Sequence, residues 1–86
     1  MNELTELPNI GKILSDKLNK IGITNSKELV DAGSEKIILQ LSTIPDSGSC
    51  LNMLYAIEGA IQGIRWHSLD IERKNELKDF YNSFKK

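Results

Sequence analysis

Apolar residues recur along this chain three and four positions apart rather than in alternation, and glycines break the pattern at intervals that suit short helices. Ile10, Ile13, Leu14, Leu18 and Ile21 fall on one side of a helical repeat, which predicts a helix opening at Gly11 or Lys12, running to about Lys20 and ended by Gly22. Thr24, Asn25 and Ser26 offer N-cap oxygens to a second, short helix through Leu29 and Val30 to Ala32, closed by Gly33. Ser34 is placed to cap a third, Glu35 to Leu41, with Ile37, Ile38, Leu41 and Ile44 turned inward. Turn residues Pro45, Asp46 and Gly48 mark a loop over Ser42 to Ser49. The next helix, about Ser49 to Ile64, carries Cys50, Leu54, Ile57, Ile61 and Ile64 on one seam with Leu51 and Met53 beside it, a surface broad enough for a central helix. Ser68 or Asp70 then caps a last amphipathic helix to about Phe84, where Leu77, Phe80, Tyr81 and Phe84 share a face. The expected fold is therefore all-α: a compact bundle of about five helices with no strand.

Length narrows this to one domain over residues 1–86, because two independent cores would each be too small to offset chain entropy. Eleven Lys and Arg against 12 Asp and Glu leave a formal charge of -1, so indiscriminate coating of nucleic acid or anionic membrane is excluded and any DNA contact has to be local. The single cysteine, Cys50, has no intramolecular partner, which fits a reducing cytoplasm; on the apolar seam it reads as a small core residue. No stretch approaches the roughly 20 apolar residues of a membrane span, and the acidic start does not suit a signal peptide. A cytoplasmic location and no membrane partner are expected.

The most informative segment is Leu7-Pro8-Asn9-Ile10-Gly11-Lys12-Ile13-Leu14-Ser15-Asp16-Lys17-Leu18, a tight turn between helical stretches followed by lysines. Unpaired N–H groups and the positive end of a helix dipole favour an anion, and Gly11 lets the backbone come close to one. The segment resembles a helix-hairpin-helix motif, in which main-chain amides at a helix start approach a DNA phosphate. Gly11 matches the second hairpin glycine and Ser15 the small residue needed for close helix packing. Asn9 stands where that family has its first glycine; asparagine tolerates positive φ better than most residues. Between Asn9 and Lys27, four lysines (Lys12, Lys17, Lys20 and Lys27) against Asp16 leave a local +3. The DNA-facing candidates are Asn9, Ile10, Gly11, Lys12, Lys17 and Lys20; the bland reading of the same residues is a simple helix connection with a solvated lysine face.

A wider resemblance covers nearly the whole chain. Leu7 to Gly11, Gly22-Ile23-Thr24, Leu29 with Ala32-Gly33, the block Cys50 to Gly63, and Trp66 look like the C-terminal domain of the TfoX/Sxy competence regulators. The resemblance implies an all-helical module related to helix-hairpin-helix folds, found as the second half of proteins that activate DNA-uptake genes alongside a cyclic-AMP-responsive transcription factor.

Ala56, Gly59, Ala60 and Gly63 form a helical stripe with almost no side chain, and glycine inside a helix costs about 1 kcal/mol relative to alanine, so close packing has to compensate. The packing partner is a helix of this chain or of a second copy, and the rings of Phe80, Tyr81 and Phe84 fit either case. Trp66 is expected to close the core between the last two helices. His67, the only histidine, has no second ligand at metal spacing and takes a surface or capping role; neither metal nor cofactor is expected. The acids Asp70, Glu72, Glu76 and Asp79, interleaved with Arg73, Lys74 and Lys78, read as exposed ion pairs. No nucleophile-base pair or phosphate-binding loop points to an enzyme or a small-molecule substrate. The reading is a non-enzymatic regulatory binding module that touches the DNA phosphate backbone through the hairpin in transcription or competence regulation. The alternative is a protein-interaction or homodimerisation module without DNA binding.

Overall fold

The computed structural model describes residues 3–44 and 48–84. Among them are five α-helices and no strand: α1 (Lys12–Lys20), α2 (Ser26–Ala32), α3 (Ser34–Ser42), α4 (Leu51–Gln62) and α5 (Ile71–Phe84), with single 3-10 turns at Glu3–Glu6 and Trp66–Ser68. The arm before the hairpin is thus a 3-10 turn rather than an α-helix. Pro45 and Asp46 of the expected loop lie outside the described residues.

Glycine chemistry ends α1 and α4 in the same way. After α1, Gly22 takes φ 90°, its N–H donates to Asn19 O at 3.1 Å, and Ile23 N–H reaches back to Leu18 O at 3.0 Å. After α4, Gly63 takes φ 76°, with Gly63 N–H on Ala60 O at 3.1 Å and Ile64 N–H on Gly59 O at 2.9 Å. Both are the paired 6→1 and 5→2 bonds of a left-handed helix stop, a conformation that costs glycine little. The start of α2 uses side chains instead. Asn25 Oδ1 accepts from Glu28 N–H at 2.8 Å, while Glu28 Oε1 accepts from both the N–H and the hydroxyl of Thr24 at 2.8 Å. Those bonds, the Thr24 N–H first, hold the Glu28 carboxyl below its ordinary range. Asn25→Ala is expected to cost about 1 kcal/mol, read as a lower urea midpoint at unchanged slope.

Two expected placements are corrected. Ser34 does not cap α3: Gly33, at φ 82° and ψ 151°, is the N-cap, and buried Ser34 is the first helical residue, its hydroxyl turned across to α4. Cys50 is exposed rather than in the core, because α4 begins one residue later and the extended backbone at this N-cap takes the thiol off the apolar seam.

The core forms two adjoining clusters. The larger joins Leu4, Ile10 and Leu18 from the N-terminal hairpin to Leu29, Ile37 and Leu41 of α2 and α3 and to Ile57 and Ala60 of α4. The smaller joins Ile38, Leu54 and Leu77, covered by the half-buried rings of Tyr55, Phe80, Tyr81 and Phe84. Helix α4 contributes to both, as its broad apolar surface requires.

Candidate functional site

The hairpin is a sharp turn held by short-range bonds, Leu7 N–H to Leu4 O at 3.0 Å and Ile10 N–H to Leu7 O at 3.4 Å, and anchored by the buried Ile10 side chain. Asn9 sits at φ 70°, the one non-glycine residue with positive φ among those described. Its carboxamide faces the protein rather than solvent. Asn9 Nδ2 donates to Ile64 O at 2.9 Å and to Ala56 O at 3.4 Å, and Asn9 Oδ1 accepts from Trp66 N–H at 3.1 Å. One side chain thereby ties the hairpin to the end of α4 and to the turn beyond it. Gly59 makes room for this: a Cβ there would lie 2.6 Å from Asn9 Nδ2 and 2.8 Å from Ile64 O. The Asn9 carboxamide is therefore a clamp that faces the protein, while the residue itself is half-buried.

Beyond the clamp, Gly11 is the extended N-cap of α1 (φ -97°, ψ -173°) and carries no side-chain cap, and no acidic residue occupies the first turn. A Cβ at Gly11 would meet nothing within 4 Å, so the backbone is open to close approach. Ser15 is fully buried, as close packing at that position demands. Lys12 and Lys20 are exposed and Lys17 is half-buried, its Nζ reaching towards Gly48. The local charge is less bare than the lysine tally implies, because Lys12 pairs with Asp16 at 3.3 Å and Lys27 with Asp31, which lies past the window counted, at 3.1 Å. Both pairs are exposed and worth only tenths of a kcal/mol, so either lysine can exchange its partner.

The starts of α1 and α4 converge on an open groove of ≈ 570 Å³ lined by Gly11, Lys12, Ile13, Leu14, Cys50, Asn52 and Met53. Its lining is mostly apolar, and Ile13 is 73% exposed. The helical repeat puts Ile13 on the inner face, but its first-turn position at the hairpin tip leaves it outside.

A second polar assembly, which apolar periodicity does not reveal, gathers around Glu58. Glu58 is 7% exposed and is the only charged residue of α4. It accepts from Ser34 Oγ at 2.6 Å, Gln62 Nε2 at 2.6 Å and Arg73 Nη2 at 3.2 Å. Arg73 also meets Glu76 at 3.0 Å and Glu35 at 3.7 Å, so three helices share the network. Burial pushes the Glu58 carboxyl up, but the hydrogen bonds from Arg73, Ser34 and Gln62 and the guanidinium charge outweigh it and hold it below the usual 4.5. The Glu58 hydrogen bond, opposed by burial and helped by Glu76, pushes Arg73 up. A lone carboxylate in an otherwise uncharged helix was the available signal.

The small-residue stripe receives the N-terminal turn. Ala56 supplies a carbonyl to Asn9, Gly59 admits its amide, Ala60 lies in the larger core cluster, and Gly63 stands past the helix end. Phe80, Tyr81 and Phe84 pack on the smaller cluster of their own chain. Trp66 is half-buried at the edge between α4 and α5, stacked 6.0 Å from Tyr55 and 4.0 Å from His67, with Lys74 Nζ 5.5 Å from its ring centre. Among the described residues no three His, Cys, Asp or Glu gather as metal ligands, and no helix is long and apolar enough to cross a membrane.

These features define a small all-α module built on an N-terminal hairpin clamped to a central helix. The chain belongs to the TfoX C-terminal domain family, whose pattern matches residues 1–81. Membership assigns it to a family of non-catalytic regulatory domains related to competence. Two crystal structures from Listeria monocytogenes are similar. An uncharacterised protein in triclinic form is 52% identical with TM-score 0.88, over 93% of this chain and 90% of that one. A protein of unknown function in tetragonal form is 51% identical with TM-score 0.89, over 95% and 99%. No curated protein matches the chain.

Proposed function

We propose that this chain is a non-enzymatic regulatory module that contacts the DNA phosphate backbone through its hairpin, in transcription or competence regulation. The observation that carries the reading is the first turn of α1. Helix geometry leaves its leading N–H groups without intrahelical acceptors, and neither a side-chain cap nor a first-turn acid occupies that end. Open backbone at Gly11 lets an anion approach, and Lys12, Lys17 and Lys20 follow in the same helix. Such contacts position a protein on a duplex without reading bases, so sequence preference would come from a partner.

A salt titration of binding to a short duplex tests this. Two or three neutralised phosphates give a log-log slope of about -2 to -3, and each lysine lost should reduce it by about 1. Lys12→Glu with Lys17→Glu should weaken binding at least tenfold in low salt, since two like charges then face the phosphates. Equal affinity of wild type and the double variant would overturn the proposal.

A further inference from the structure

The groove between the starts of α1 and α4 is too apolar to be explained by phosphate contact. Its floor and walls are Ile13, Leu14, Met53 and Cys50, and its one charged lining residue is Lys12. The positive ends of two helices face it, with no acidic residue in the first turn of either. An occupant complementary to this surface has an apolar side chain flanked by carboxylates.

This chain displays such a segment at the start of α5. Ile71 is 65% exposed, between exposed Asp70 and Glu72. The neighbouring cations are directed elsewhere: Arg73 to Glu58, Glu76 and Glu35, and Lys74 over the Trp66 ring. Among the described residues neither Asp70 nor Glu72 enters an ion pair. We infer that the groove receives Asp70-Ile71-Glu72 of a second copy of this chain, with Ile71 entering against Ile13 and Met53 and the carboxylates facing Lys12 and the two helix starts. The contact joins unlike surfaces, so it closes as a reciprocal pair when both grooves are filled at once, and otherwise adds copies head to tail. It is smaller than the roughly 1,200 Å² of a stable interface and the association is weak and salt-sensitive. It does not depend on the DNA reading, although both use Lys12.

Sedimentation of the purified chain from about 10 μM to about 1 mM in low salt tests the inference over the range such an interface spans. The sedimentation coefficient should rise with concentration, and Ile71→Asp should remove the rise. Lys12→Glu and Glu72→Lys alone should each weaken association at least fivefold, while their equimolar mixture regains association, because positions 12 and 72 carry opposite charges in both contacts between the two variants. All three positions are exposed, and unchanged circular dichroism would show that the fold is retained. A wild type that stays monomeric throughout overturns the inference, and amide shifts of Ile13 and Met53 on adding duplex would then give the groove to DNA. Association that survives Ile71→Asp overturns it in favour of another surface, the Phe80, Tyr81 and Phe84 face first. A mixture no stronger than its components overturns the pairing of Lys12 with Glu72.

Discussion

Gly59→Ala is expected to destabilise the domain by about 3 kcal/mol, although alanine is the better helix former by about 1 kcal/mol. The added methyl would stand 2.6 Å from Asn9 Nδ2 and 2.8 Å from Ile64 O. The first neighbour is a side chain that can swing away, at the cost of its bonds to Ile64 O, Ala56 O and Trp66 N–H. The second is backbone held by the helix stop and has to shift with it. Thermal melts should show a fall of roughly 15 °C for a chain of this size. Asn9→Gly keeps the positive φ and loses only the clamp, an expected cost of about 2 kcal/mol, whereas Asn9→Ala adds left-handed strain of about 1 kcal/mol. The two sites should couple: in the Gly59→Ala background, Asn9→Gly relieves the closest clash and costs at least about 1 kcal/mol less than alone. Strict additivity, within about 0.5 kcal/mol, would show that Asn9 and Gly59 act separately.

The clamp connects folding to the proposed DNA contact. Gly11 and the first turn of α1 follow Asn9 closely, so the amides offered to a phosphate are held by one hydrogen bond to α4, at Ala56 O, and two to the segment just beyond it, at Ile64 O and Trp66 N–H. Preorganised donors lose less entropy on binding than donors on a mobile loop.

Helix order and ends were legible because glycine stops and apolar periodicity are local signals: Gly22, Gly33 and Gly63 all take positive φ where the pattern breaks. The same locality explains what was missed. Asn9 was read as a substitute for glycine at a turn, which its φ supports, but its partners lie 47 to 57 positions away and leave no periodic trace. The small-residue stripe reads as a seat for another helix, whereas the body against Gly59 is the Asn9 amide, and composition does not distinguish the two. Arg73 and Glu76 were legible as an i,i+3 pair, whereas Glu58, fifteen positions from Arg73, was not. Cys50 leaves the core because α4 starts at Leu51, two residues after the expected Ser49, and Ile13 because periodicity marks the face of a first-turn residue but not whether another element covers it.

The Glu58–Arg73 network sets the other large effect. Arg73→Ala is expected to cost about 2–3 kcal/mol, somewhat below a fully enclosed pair because the Arg73 side chain is 30% exposed. The loss comes mainly from a carboxylate left 7% exposed with Ser34 and Gln62 but no cation. Since Glu58 titrates lower in the folded chain than the usual 4.5, the unfolded chain binds the proton first. The stabilisation is therefore complete above about pH 5.5 and is lost as pH falls through 4.5 and then through the depressed native value. Arg73 stays protonated across this range and adds no slope of its own. Glu58→Gln should accordingly be less stable than wild type at neutral pH, with the two urea-derived stability curves converging as pH falls through 4.5 and below the depressed native value. Curves that remain parallel from neutral to acid pH would mean that the Glu58 charge contributes nothing. Replacing both partners, Glu58→Met with Arg73→Met, removes the buried charge and its partner together and should cost less than Arg73→Ala alone. That comparison separates the energy of the ion pair from the penalty of leaving one half of it inside the protein.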